Sequence, residues 1–188
     1  MSSGTEHEQR FRHVYASNFP ALLAYASRRV DQHADASDVV AETFLVAWRR
    51  SGDLPPDDEI RLWLYGVARR VLANHHRGGT RRERLGERLR QRITAVVSRD
   101  PASEVPQRLA VRAALARLDE PDRELIMLTT WEGLQPREAA DVLGISAGAA
   151  RTRLSRARAR LRELIGDDPY VDGHVRDVLT TTAPKEER

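Results

Sequence analysis

Cysteine is absent from the 188 residues, which excludes a disulfide framework, thiolate metal sites and a thiol redox switch. Long apolar runs are absent too. None approaches the roughly 18–20 residues needed to span a bilayer. The first ten residues, Met1 to Arg10, are polar and show no signal peptide, so a cytoplasmic location is expected. No stretch alternates apolar and polar residues convincingly, which argues against strands. Lysine is nearly missing: Lys185 is the one lysine among 31 basic residues. Such an arginine skew often reflects a GC-rich genome, so the total alone says little about nucleic acid.

The distribution of charge says more than its sum of +3. Between Asp31 and Glu59 eight acids stand against Arg49 and Arg50. Between Arg77 and Arg92 seven arginines outnumber Glu83 and Glu87, and Arg151 to Arg162 holds six arginines and no acid. Segregation of this kind points to separate surfaces for separate partners.

Helical periodicity dominates the chain. Phe11, Val14, Tyr15, Phe19, Leu22, Leu23 and Ala26 recur at helix spacing, as do Val39, Val40, Thr43, Phe44, Ala47 and Trp48. Asp35 to Asp38 read as N-terminal caps of the second stripe. Ser51 to Pro56 breaks the pattern. Ile60, Trp63, Leu64, Val67, Ala68, Val71 and Leu72 make a third stripe, expected to end near Gly78-Gly79. Three such stripes can share one small core. The fold expected is all-α: two small helical domains joined by a linker. Its parts are a flexible N-terminus (1–9), a helical domain (10–78), an arginine-rich, partly helical linker (79–105), a second helical domain (106–166) and an acidic, mobile tail (167–188).

The second domain contains a helix-turn-helix pattern. Pro136-Arg137-Glu138-Ala139-Ala140-Asp141-Val142-Leu143-Gly144-Ile145-Ser146 precedes an arginine-rich helix. Ala139 and Ala140 are small enough for close packing, Gly144 permits the tight turn, Ile145 plugs the core and Ser146 caps the next helix. At ~100° per residue, Ala150, Leu154, Ala157 and Leu161 share a buried stripe. Thr152, Ser155 and Arg156 point away from it, with Arg151 and Arg153 on its flanks. These outward residues near the helix start suit base and phosphate contacts in a major groove. Arg158, Arg160 and Arg162, farther along, suit phosphate contact or plain solvation.

The wording of both blocks resembles a known family. Ala36-Ser37-Asp38-Val39-Val40-Ala41-Glu42-Thr43-Phe44-Leu45-Val46-Ala47-Trp48 and Arg61-Leu62-Trp63-Leu64-Tyr65-Gly66-Val67-Ala68-Arg69 resemble the second region of bacterial extracytoplasmic-function sigma factors, of the sigma-70 superfamily. Ala114-Leu115, Leu118, Asp122-Arg123, Trp131-Glu132-Gly133-Leu134 and Arg153-Leu154-Ser155-Arg156-Ala157-Arg158 are similar to its fourth region. The resemblance covers about Phe11 to Ile165, in the family's order.

That resemblance implies a transcription initiation factor that binds core RNA polymerase, directs it to a promoter and aids strand opening. The second region would dock on the β′ coiled coil and capture the single-stranded −10 element. The fourth would bind the β flap and read the −35 duplex, and the linker would thread toward the RNA exit channel. The implied polymerase contacts are Asp38, Glu42 and Trp48, although periodicity alone places Trp48 and Trp63 mostly in the core. For the −10 strand they are Arg61, Tyr65, Arg69, Arg70, Asn74 and Arg77, with Tyr65 open to solvent or nucleic acid. For the −35 duplex they are Arg137, Arg151, Thr152, Arg153, Ser155 and Arg156. The loop from Ser51 to Asp58 matches the family's base-capturing loop in position but offers no aromatic. Two departures stand out: Arg70 where Asn is common, and Ala41 where Gln is frequent. The resemblance also implies an anti-sigma partner.

No enzyme is expected. His75 and His76 are adjacent, so they point ~100° apart on a helix and cannot easily share a metal. No phosphate-cradling glycine loop or nucleophile with a base is visible, and no cofactor or metal is expected. A conventional helix-turn-helix repressor or activator binding duplex DNA on its own is the alternative. It accounts for the second block only.

Overall fold

The structure, a computed structural model, describes residues 3–30, 32–90 and 106–166, and the side chains of 5–30, 32–77 and 110–166. The chain divides into two compact units, Met1–Val97 and Ser98–Arg188. All regular structure among the described residues is helical.

The first unit holds α1 (Ser3–Ser27), α2 (His33–Arg49), a short 3-10 turn (Ser51–Asp53) and α3 (Asp57–Arg90). Each of the three helices packs on the other two. The periodic stripes meet inside: Val14, Leu22 and Tyr25 from α1, Val39, Val40 and Phe44 from α2, and Ile60, Leu64 and Ala68 from α3 are all buried. A fully buried Leu, Val, Ile or Phe contributes about 1.5–3 kcal/mol, so this shared interior is the main source of the unit's stability. Polar groups caught inside are satisfied locally. Thr43 Oγ1 donates to the carbonyl of Val39 at 2.7 Å, and Asn18 Nδ2 to that of Val14 at 2.9 Å.

Two local features differ from the sequence reading. The cap position of α2 belongs to Gln32, which makes no side-chain bond, and Asp35 sits inside the first turn. The Asp35 carboxylate still faces the positive end of the helix dipole, and it lies 3.6 Å from His75 Nε2 on α3. The second difference is at Gly78-Gly79, which does not end α3; the helix continues to Arg90. A glycine costs a helix about 1 kcal/mol but stops it only by turning left-handed. Among the described residues the positive-φ glycines are Gly133, Gly144 and Gly166. Leu, Glu and Arg beyond Gly79 are good helix formers and carry the helix on. The rest of the expected linker (91–105) and the acidic tail (167–188) lie outside the described residues.

The second unit holds α4 (Pro106–Ala116), α5 (Glu120–Thr130), α6 (Pro136–Leu143) and α7 (Ala147–Ile165). Asp119 occupies the cap position of α5, its carbonyl accepting from the amides of Asp122 and Arg123, with Pro121 in the first turn. Glu138 reaches back to the Gln135 amide at 2.7 Å and fixes the start of α6. At its other end Gly144 turns left-handed at φ 68°. The Ile145 amide then bonds to the Ala140 carbonyl at 3.0 Å and the Gly144 amide to that of Asp141 at 3.2 Å. This paired closure uses carbonyls that a helix end would otherwise leave open. Two residues later Ser146 Oγ accepts from the Ala149 amide at 3.2 Å and starts α7.

Candidate nucleic-acid interfaces

In the second unit the turn at Gly144 sets the roll of α7. Ala150, Leu154, Ala157 and Leu161 are buried against α4, α5 and α6. Thr152, Ser155 and Arg156 consequently stand exposed on the side away from it, with Arg151 and Arg153 exposed on its flanks, near the start of the helix, and Arg137 is exposed on α6. Arg153 is partly restrained by Asp122, whose Oδ1 lies 3.7 Å from its Nε. The remaining set offers forked guanidinium donors and hydroxyls from one helical face, the chemistry that reads guanine edges and phosphates in a major groove. Arg158 behaves differently from its neighbours. It is half-buried, and burial, followed by the nearby charge of Arg162, pulls its guanidinium below the usual arginine pKa.

In the first unit α3 presents a second basic face. Arg61, Arg70, Asn74 and Arg77 are exposed and Arg69 is half-buried. Arg77 Nη2 donates to Asn74 Oδ1 at 2.5 Å, leaving the Asn74 amide nitrogen as an outward donor. Tyr65 does not belong to this face. It is 1% exposed, with its ring centroid 5.0 Å from that of Tyr25. The cause is that α1 lies against this side of α3, so the Tyr25 ring covers a face outside the Ile60, Leu64 and Ala68 stripe. Arg61 covers what remains, donating to Tyr65 Oη at 3.3 and 3.4 Å.

Both tryptophans assigned to the core by periodicity lie outside it. Trp48 is 46% exposed on α2, its ring 5.0 Å from Phe11. Asp38 and Glu42 are exposed on the same helix. Phe11, Tyr15, Phe19, Phe44 and Trp48 form a continuous run of ring contacts along the α1–α2 seam, with Tyr15 42% exposed. Trp63 is half-buried at a cavity of about 250 Å³ between α2 and α3. Val46, Val67 and Val71 supply apolar lining, and Glu42, Arg50, Arg70 and Asn74 supply polar groups. Sequence reasoning missed this cavity, and with it Arg50. The available signal was a second α3 spacing, Trp63, Val67, Arg70 and Asn74, running beside the Ile60, Leu64 and Ala68 stripe.

Among the described residues no group of three or more His, Asp or Glu side chains is placed to hold a metal, and no helix is long and apolar enough to cross a membrane.

Residues 14–82 match the family described as sigma-70 region 2, and residues 108–161 match sigma-70, region 4. The chain is 33% identical over 173 residues to the RNA polymerase sigma factor CnrH of Cupriavidus metallidurans, covering 86% of this chain and 89% of that one. It is 30% identical over 154 residues to the ECF RNA polymerase sigma factor SigL of Mycobacterium tuberculosis, covering 80% and 86%. Among solved structures it resembles the sigma factor RpoE in complex with the anti-sigma factor NepR from Bartonella quintana. There the TM-score is 0.64 at 28% identity, covering 85% of this chain and 99% of that one. CnrH in complex with the cytosolic domain of CnrY gives a TM-score of 0.62 at 30% identity, covering 84% and 88%.

Proposed function

The chain belongs to the extracytoplasmic-function group of sigma-70 RNA polymerase sigma factors, and from that premise we propose how its two units share promoter recognition. As a member it is a transcription initiation factor that directs RNA polymerase to promoters. The observation that carries this is the presence of both regions in one chain, in the family's order. A lone duplex-binding repressor accounts for residues 108–161 and leaves residues 14–82 without a role.

In the first unit, Asp38, Glu42 and Trp48 on α2 meet the β′ coiled coil of core polymerase. Exposed carboxylates one turn apart steer docking on a basic helix, and the open Trp48 ring supplies apolar contact. On α3, Arg61, Arg69, Arg70, Asn74 and Arg77 hold the −10 strand after it separates. Cations along the backbone and an aromatic beside a cavity are what an unstacked base needs, and Trp63 takes the part first given to Tyr65. In the second unit, Arg137, Arg151, Thr152, Arg153, Ser155 and Arg156 read the −35 duplex, the earliest residues of α7 reaching deepest into the groove. The same unit docks on the β flap. The protein acts in the cytoplasm, without catalytic chemistry of its own, and an anti-sigma factor holds it inactive. The partners seen with RpoE and CnrH support that last point.

The test is reconstitution. The purified chain binds core polymerase in a pull-down and supports run-off transcription from a promoter mapped after overexpression. Failure to associate with core overturns the reading, and tight, specific duplex binding by the chain alone favours the repressor.

A further inference from the structure

We infer that Asp122, in the first turn of α5, is a positioning residue for promoter recognition: it makes Arg153 the reader of one guanine in the −35 duplex instead of a phosphate contact. The inference rests on the sigma-factor reading above. Among the outward arginines near the start of α7, Arg153 is set apart by a counter-charge. Its Nε lies 3.7 Å from Asp122 Oδ1, whereas Arg151 and Arg156 form no ion pair among the described residues. The Asp122 side chain is largely covered, at 21% exposure. Both partners are anchored by their neighbours. One turn after Asp122, Leu125 and Ile126 are fully buried, and the Asp122 amide donates to the Asp119 carbonyl at 3.1 Å. Arg153 directly precedes Leu154, which is 3% exposed.

An ion pair whose partners both touch water adds little to folding. Its consequence here is for aim and for charge. A guanidinium offers two forked edges of donors, and Asp122 occupies the one that includes Nε. The edge formed by Nη1 and Nη2 stays open, and the pairing narrows the directions it can face, so less side-chain freedom is lost when it meets an acceptor. The carboxylate also offsets the positive charge that would draw Arg153 to the backbone, and it repels any phosphate brought close. Neutral acceptors escape that penalty. In the major groove only guanine presents two adjacent acceptors, O6 and N7, which match the open edge. Asp122 thereby exchanges general attraction to DNA for discrimination, the usual effect of a repulsive group placed beside a recognition site.

The experiment uses holoenzyme assembled from core polymerase and the full chain, with promoters carrying every single-base change in the −35 element. Wild type is expected to favour G at one position by about tenfold, and Arg153→Ala to abolish that preference. Asp122→Asn keeps the shape of the side chain and removes its charge. It is expected to flatten the same position by about threefold or more and to leave the other positions alone. Promoter affinity should also fall more steeply with salt, because the released arginine charge turns to the backbone. Asp122→Glu restores much of the preference, and in an Arg153→Ala background Asp122→Asn has no further effect at that position. A merely structural role for Asp122 would lower output from all −35 variants alike with their ranking intact, and that result overturns the inference. So does flattening at a position that Arg153→Ala leaves untouched, or a base other than G at the position both variants affect. A wild-type chain that drives no promoter refutes the sigma-factor reading itself, a distinct result.

Discussion

Arg10 Nη2 lies 2.5 Å from the carbonyl oxygen of Pro55, while Nη1 of the same guanidinium reaches the carbonyl of Leu54 at 3.3 Å. A side chain from α1 thereby holds the connection between α2 and α3, with Asp57 a further 3.6 Å contact. Replacing Arg10 with Ala is expected to cost about 1–2 kcal/mol, because charge-assisted bonds to two carbonyls are lost from a partly exposed site. Arg10→Lys recovers only part of this, since an ammonium cannot fork across two acceptors. Urea unfolding in a Trp131→Phe background, where Trp48 and Trp63 report the first unit, measures both. An unchanged midpoint would mean that the loop holds itself.

Gly144→Ala should destabilise the second unit by about 1–2 kcal/mol. Nothing lies within 4 Å of the added Cβ, so the cost comes from the φ of +68° alone. Asn, which tolerates that conformation better, is expected to fall between the two. Trp131 fluorescence during unfolding, with the other two tryptophans replaced by Phe, gives the ranking.

Leu154 and Thr152 are two positions apart on α7 and should separate stability from recognition. Leu154 is 3% exposed, so Leu154→Ala opens a cavity and costs about 2–5 kcal/mol. Thr152 is exposed, and Thr152→Ala is expected to change stability by less than about 0.5 kcal/mol while altering −35 preference. Equal unfolding curves for the two variants would contradict the helix orientation described here.

These cases show what the sequence made legible. The Ala150, Leu154, Ala157 and Leu161 stripe, the Gly144 turn and the Ser146 cap follow from local rules, because one amphipathic helix with one buried face obeys a single period. The first unit obeys them less well. Burial there depends on which sides of a helix its two neighbours cover, so Tyr65 is hidden under Tyr25 while Trp48 and Trp63 fall at the edges of their contacts. The run through Gly78-Gly79 was missed for another reason: a glycine pair marks a possible stop, and only backbone conformation shows whether it is used. The cavity brings together residues from two helices, which no periodicity within one segment can reveal.

Arg156→Ala is predicted to cost about 1–3 kcal/mol of promoter affinity and to relax preference at one −35 position. Transcription from a set of single-base −35 variants distinguishes this from a phosphate contact, whose loss would weaken every sequence equally.

Removal of the Trp48 ring should act on assembly more than on folding. With the side chain 46% exposed, Trp48→Ala is expected to weaken core-polymerase binding by about 1–2 kcal/mol. The lost ring contact with Phe11 should cost the fold about 0.5–1.5 kcal/mol. Titration of core polymerase alongside thermal unfolding tests the pair of values, and undiminished binding would remove Trp48 from the docking surface.

The outward residues of α7 include Arg151, Arg153 and Arg156, and lysine occurs in this protein only at Lys185. Enzymes that acetylate lysine therefore have no purchase on the groove-facing helix, and a guanidinium keeps its charge throughout the physiological pH range. Neither lysine acetylation nor acidification can dim those charges, whereas a physical cover, a macromolecule laid over the helix and later taken away, silences them without altering any.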